Sequence, residues 1–354
     1  MPRHRLLRNR IAGATRGGVS DYFRPLPSHD AARPPGALTL AGGWCWFDRV
    51  EVLRRGRPPE IIAAAELPAG VAARLTAPRA PVLGLPMERP HLRGILNVTP
   101  DSFSDGGAYL AREVALTHAR AMLAAGAAII DVGGESTRPG ADEVPVAEEV
   151  ARTRAVVAAL APRARVSIDT RKAAVAEAAL AAGARLLNDV SALTFDPCLA
   201  GLAARAGVPV CLMHAQGDPA TMQEAPHYED VLLDVYDFLA ARIAAAEAAG
   251  IARACIVVDV GIGFGKTVAH NLALIRGMAL FHGLGCPVLL GASRKRFIGT
   301  LGGAEMPQAR MPGSLAVALA GVAQGVQILR VHDVAPMAQA LRLWQAMAGM
   351  ETQT

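Results

Sequence analysis

From residue 91 onward the chain alternates between two textures. Short runs rich in Val, Ile and Leu occur at 92–98, 128–132, 166–169, 186–190, 208–213, 256–260, 288–291 and 328–331. Longer Ala-rich stretches lie between and after them, at 113–125, 147–161, 173–182, 197–206, 231–249, 271–281, 314–324 and 335–348. Runs that are apolar on both faces and are joined by helical crossovers predict a parallel sheet covered on both sides. Eight such units over residues 91–348 predict an α/β fold closed into a (β/α)8 TIM barrel, in preference to an open doubly wound sheet. Gly126, Gly183, Gly207, Gly250 and Gly325 fall at or near the ends of the helical stretches, where a left-handed cap is favoured.

The first 90 residues lack this rhythm. Residues 1–36, rich in Arg, Pro and Gly, are expected to form a disordered basic tail. Residues 37–90 hold short apolar stretches (ALTLAGGWCWF, VEVLRR, EIIAAAEL) that predict a few strands and one short helix, a small accessory segment packed on the barrel with too little for a core of its own. The chain's formal net charge is +5, but its first 90 residues carry 14 Arg against 7 acids, so the barrel region is at −2 and no nucleic-acid partner is expected for it. The Arg-rich, acid-free opening suits a disordered tail, although an organelle transit peptide or a start codon placed too early has the same composition. Five cysteines without a C-x-x-C pair read as core thiols in a reducing compartment, which makes the expected location cytoplasmic. The apolar runs are far shorter than the ~20 residues of a membrane span, so no membrane partner is expected.

The chemistry gathers where the strands end. In order, these positions are Asn97, Asp131 with Glu135, Asp169, Asn188 with Asp189, His214, Asp259, Ser293 with Lys295, and Arg330 with His332. A barrel brings all eight strand ends to one face, the face that carries catalysis in this architecture. One such residue is as readily a helix cap or a loop anchor; eight of eight strands is a pattern. Asn97, Asp169, Asn188 and Asp259 offer amides and carboxylates that match the edge of a polar heterocycle. Lys295, Arg330 and His332 offer positive charge for an anion. Two polar, glycine-containing loops, at 99–110 and 133–145, are candidate lids. The glycine run at 261–267 is neither a Walker loop, since Val260 stands where that motif needs Gly, nor a dinucleotide fingerprint, since Lys266 does.

These residues resemble a known family. GILNVTPDSFSDGG (94–107) and IIDVGGESTRPGA (129–141) are similar to the two signature blocks of dihydropteroate synthases. SIDTRK, LLNDVSAL, LMHAQGDPATMQ, VVDVGIGFGKT, LLGASRKRFIG and LRVHDV follow in the family's order, so the resemblance spans residues 91–345. It implies that Asp169, Asn188, Asp259 and Lys295 form a pterin pocket. It implies that Asn97, Arg330 and His332 hold pyrophosphate, with Asn97 also near Mg2+. Asp105, Thr137 and Arg138 match loop residues that complete the catalytic site, in which Lys295 is also counted, and Phe103 and Pro139 match residues flanking an aminobenzoate ring. The implied reaction joins 6-hydroxymethyl-7,8-dihydropterin pyrophosphate to 4-aminobenzoate, in a homodimer. The chain departs from the family's pattern at Val260, often Pro, at Ala215, often Met, and at Arg296, often Ser in the aminobenzoate subsite.

The residue chemistry agrees with a dissociative substitution. Cations neutralise the departing pyrophosphate, carboxylates favour the positive charge on the pterin methylene, and an arylamine needs no strong base. Two other readings stand beside it: a pterin-binding methyltransferase barrel, and a catalytically silent paralogue serving as a partner subunit. The SRKRFIG, RVHDV and TRPG segments count against the first, and intact loops against the second.

Overall fold

The computed structural model describes residues 21–98, 107–136, 143–217, 222 and 224–350. The segment ahead of the barrel is a small antiparallel layer. Strands β1 (Tyr22–Pro25), β4 (Arg49–Leu53) and β5 (Glu60–Ala63) form one sheet with β4 in the middle. Strands β2 (Leu38–Thr39) and β3 (Trp46–Phe47) form a second, and helix α1 (Ala69–Thr76) follows. Two expectations are corrected here. The stretch read as a disordered tail contains β1, whose alternation is too brief to show through its Arg- and Pro-rich surroundings. Pairing with β4 satisfies the side of its backbone that faces the sheet, and Tyr22 is buried against Leu233 and Leu280 of the barrel's outer helices. The accessory segment also has a core of its own, in which Leu40, Phe47, Val50 and Leu75 are wholly buried. It is tied to the barrel by Tyr22, which donates to Asp237 at 2.8 Å, by Arg55 paired with Asp234 and Asp237, and by the Trp44 indole, which donates to the Val322 carbonyl at 2.9 Å.

The eight expected strands are present: β6 (His91–Asn97), β7 (Ile129–Gly133), β8 (Val166–Asp169), β9 (Leu186–Asp189), β10 (Val210–Met213), β11 (Ile256–Asp259), β12 (Val288–Leu290) and β13 (Ile328–Val331). They are all parallel and close into a ring in sequence order, with β13 paired to β6. Around them run α2 (Gly107–Ala124), α3 (Val146–Leu160), α4 (Ala173–Ala181), α5 (Pro197–Ala206), α6 (Val231–Ala248), α7 (Val268–Arg276), α8 (Arg296–Gly302), α9 (Met311–Val322) and α10 (Val334–Met347). One helical expectation shifts and one helix is additional. The stretch 271–281 is broken after Arg276, where Gly277 packs so closely on Leu232 that a Cβ would come within 2.6 Å of it, and a 3-10 helix, Met278–Leu284, follows. Helix α8 had no counterpart in the sequence reading, because its seven residues are too few to show a period.

The lumen is layered. At the strands' N-terminal ends Ile129, Leu186, Cys211, Val257, Leu289 and Ile328 point inward, and Val82, Leu85 and Met87 pack against them as a plug. The site lies above this layer.

Candidate active site

Side chains alternate across a strand, so residues two apart share a face. On β6 the inward set is Arg93, Ile95 and Asn97; on β7 it is Ile129, Asp131 and Gly133. Asp131, fully buried, is the hub of the upper lumen. Its Oδ1 accepts from Arg93 Nη2 and Ser167 Oγ, and its Oδ2 accepts from Arg330 Nε at 2.6 Å and Asn188 Nδ2 at 3.4 Å. Arg330 reaches across as well, donating through Nη2 to Asp169 Oδ2 at 2.6 Å. Strands β6, β7, β8, β9 and β13 thus contribute to one polar cluster.

The electrostatics separate the carboxylates. Burial opposes the Asp131 charge, but Arg93, Arg330 and Ser167 outweigh it and hold this carboxyl below its usual range. Asp169 gains less: burial pushes it up to about 7, Asp131 adds repulsion, and Arg330 only partly compensates. Asp259, on β11, is also raised by burial; its Oδ1 accepts from the Gly261 N–H at 2.8 Å, and Lys295, Arg330 and Lys266 act in the opposite sense.

Two glycines keep the mouth open. At Gly133 a Cβ would meet Asp169 Cβ at 3.5 Å and Asn97 Oδ1 at 3.6 Å, and at Gly291 a Cβ would meet Asp259 Oδ2 at 3.3 Å. The far wall is set by the turn after β12. Arg294 holds a left-handed backbone (φ 59°) there, fixed by its ion pair with Asp333 and by its N–H, which donates to Ser314 Oγ at 2.9 Å. That turn places Ser293 3.1 Å from His332 Nδ1 and puts the Lys295 ammonium 4.0 Å from the centre of the Phe264 ring.

A family model described as "Pterin binding enzyme" matches residues 93–332. The dihydropteroate synthase of Escherichia coli (strain K12) is 48% identical over 264 residues, 74% of this chain and 93% of that protein. The chain belongs to the dihydropteroate synthase family. Among solved structures, the dihydropteroate synthase of Xanthomonas albilineans with 4-aminobenzoic acid is similar at 46% identity and a TM-score of 0.72, covering 77% of this chain and 99% of that one. The same organism's enzyme in complex with 7,8-dihydropteroate is similar at 42% identity and a TM-score of 0.70, covering 77% of this chain and all of that one.

Of the residues that the family resemblance singled out, Asn97, Asp169, Asn188, Asp259, Lys295, Arg330 and His332 all lie on this one face of the barrel. Phe103, Asp105, Thr137, Arg138 and Pro139 lie outside the described residues. Three polar strand-end residues face elsewhere. Asp189 caps its own turn, accepting from the N–H groups of Ser191 and Leu193 at 2.7 and 2.6 Å. Glu135 joins a buried ion cluster with Arg171 and Lys172, at 3.1 and 2.7 Å. His214 is locked to Lys266, whose Nζ lies 2.8 Å from Nδ1 and donates to the carbonyls of His214 and Phe264 at 3.3 and 3.0 Å. Burial lowers Lys266 to about 7, and burial together with Lys266 lowers His214. The glycine run serves the same lock: a Cβ on Gly261 (φ 67°) would lie 1.8 Å from the His214 carbonyl oxygen. In this chain the run thus serves close backbone packing. Arg93 and its pairing with Asp131 escaped the sequence reading; the signal was one charge at an inward position of an otherwise apolar strand.

Proposed function

We propose that this chain condenses 6-hydroxymethyl-7,8-dihydropterin pyrophosphate with 4-aminobenzoate, giving 7,8-dihydropteroate and pyrophosphate for folate biosynthesis. The observation that carries this reading is the convergence of Asp169, Asn188 and Asp259 with Arg330 and His332 on one open face, in a chain of this family. Asn188 and the two carboxylates present acceptors and an amide to the pterin edge, with Lys295 beside them. Arg330 commits two N–H groups to Asp131 and Asp169, and a guanidinium has five, so three remain to meet an anion beside His332 and Asn97. As the C–O bond lengthens, these donors take up charge on the pyrophosphate oxygens while Asp169 and Asp259 face the positive charge left on the pterin. Asp105, Thr137 and Arg138 are assigned to closing the site, Phe103 and Pro139 to flanking the aminobenzoate ring, by their match to the family motifs.

Mg2+ is the implied cofactor. Asn97 supplies a hard oxygen beside Asp169, and among the described residues no group of three His, Cys, Asp or Glu could hold a metal ion. That donor set fits an ion that takes most of its ligands from phosphate and water, as Mg2+ does. When bound it would neutralise phosphate charge. We assign the chain to the cytoplasm and to a homodimer: buried thiols at Cys45, Cys211 and Cys286 suit a reducing compartment, and Leu301, Met306, Leu343 and Met347 expose apolar surface on α8, α10 and the connection between α8 and α9. The test is to incubate purified protein with the pterin pyrophosphate, 4-aminobenzoate and Mg2+. Mg2+-dependent formation of dihydropteroate supports the reading; pterin binding without product, over hours at high enzyme concentration, overturns it.

A further inference from the structure

The interior of β6 carries a charge that the reaction does not use. Arg93 is 1% exposed, lies two inward steps below Asn97, and makes an ion pair with Asp131 from the side opposite Arg330. Its Nε is buried without a hydrogen-bond partner. A side chain needed only to fill the lumen would do so at lower cost if it were apolar, because a buried cation must be desolvated and an unmet N–H adds to that cost.

The charges above it suggest what the cation does. Asp131 and Asp169 both contact Arg330, at 2.6 Å each. Taken alone, those three groups place two carboxylates on one guanidinium, an arrangement that repels an approaching anion. Arg93 takes the other oxygen of Asp131 and makes the four-group cluster formally neutral. We propose that Arg93 is a positioning residue that cancels the charge of Asp131 from below, leaving Arg330 able to hold the pyrophosphate of the substrate. This rests on the reading of Arg330 as an anion-binding group. Burial of Asp169, which favours its protonated form, acts in the same direction. Without Arg93, Arg330 is the one cation paired with Asp131 and is drawn down toward it.

The proposal separates two ligands that share the site. The full-length chain and its Arg93→Met, Asp131→Asn and Arg93→Met/Asp131→Asn variants are titrated by calorimetry with inorganic pyrophosphate plus Mg2+, and separately with unphosphorylated 6-hydroxymethyl-7,8-dihydropterin. Arg93→Met is expected to weaken pyrophosphate about tenfold and to raise KM for the pterin pyrophosphate in proportion, with the pterin affinity held within about twofold. The double variant restores neutrality and is expected to recover most of the lost pyrophosphate affinity, a coupling that damage to the fold would not produce. Pyrophosphate affinity unchanged in Arg93→Met, equal loss of both ligands, or a further loss in the double variant overturns the proposal. Failure of the wild-type chain to bind pyrophosphate at all would instead strike the reading of Arg330.

Discussion

The two ends of the barrel lumen are built from the same strands, two residues apart. Ile129, Leu186, Val257, Leu289 and Ile328 line the plugged end; Asp131, Asn188, Asp259, Gly291 and Arg330 stand directly above them. One inward step, about 6.6 Å along a strand, changes the lining from an apolar layer under Val82, Leu85 and Met87 to a charged cluster around Asp131. The lower layer gains from burial and shape. The upper one holds carboxylates that burial pushes toward protonation at Asp169 and Asp259, a cost carried for the sake of recognition. Stability and chemistry are therefore separable by layer, and substitutions in each should move different observables.

The largest expected effect is at Arg330. Arg330→Ala removes the group that bridges Asp131 and Asp169 and faces the leaving group, so kcat/KM for the pterin pyrophosphate should fall by about 10²–10³, the loss typical of one preorganised donor at a developing charge. Steady-state kinetics decides it, and a fall of less than about threefold would take the anion site away from this layer.

A paired substitution tests the separation itself. Leu186→Ala, in the plugged layer, should cost about 2–5 kcal/mol of stability in denaturant unfolding and leave kcat/KM of the folded protein unchanged. Asp259→Asn, one layer up on another strand, should do the reverse. It keeps the acceptor for the Gly261 N–H but loses the carboxylate, so pterin affinity should fall by about 1–3 kcal/mol while the melting temperature holds or rises. Loss of stability at Asp259→Asn as large as at Leu186→Ala would break the comparison.

That separation was partly legible in the sequence. Continuous apolar runs declared a parallel barrel because each strand is covered on both faces, and polar residues at the run ends marked the open side. Register was harder to read. Asn188 and Asp189 are neighbours of similar chemistry, yet one enters the lumen and the other caps a turn, and only the pairing of β9 with β8 and β10 settles which. Glu135 and His214 looked equivalent to Asp169 because the ion cluster around Lys172 and the Lys266 lock are assembled from distant segments. Arg93 was hidden because a strand counted as apolar conceals one charge, and β1 because four residues give too short an alternation.

A pH titration sharpens the upper layer. The folded pKa of Asp169 is raised to about 7, against about 3.9 in the unfolded chain. Between those values the folded chain holds the extra proton, so this group makes stability fall as pH rises from about 4 to 7. Asp259 acts in the same sense. Asp131 is depressed, so its contribution is already complete above the unfolded value and is lost only at lower pH. A pterin N–H needs the ionised carboxylate, so pterin affinity should climb as pH rises toward about 7 and level off above it, by up to tenfold per unit on the acid side. Calorimetry across this range should show the climb in the wild type and a flatter profile in Asp169→Asn; parallel profiles would assign the titration to another group.

The smallest expected effect lies where the upper layer has no side chain. Gly291 follows β12 with φ outside the left-handed range, so alanine there avoids that strain and space is what is at issue. Its Cβ would stand 3.3 Å from Asp259 Oδ2 and 3.9 Å from Arg330 Cβ and Cδ, tight against the first and ordinary against the second. Asp259 would have to give by a few tenths of an ångström, and its Oδ1 is anchored to Gly261, so the strain falls on the acceptor that meets the pterin. Gly291→Ala should therefore weaken pterin binding about three- to tenfold, a cost of about 1 kcal/mol of the kind produced by mild overpacking, with pyrophosphate affinity and melting temperature nearly unchanged. Gly133→Ala supplies the matched control: its Cβ would meet Asp169 and Asn97 no closer than 3.5 Å, so it should cost less. Equal losses at the two glycines, or pyrophosphate weakened as much as pterin at Gly291→Ala, would mean that the mouth of the site is not divided between a ring and an anion as the layer of Asp259 and Arg330 implies.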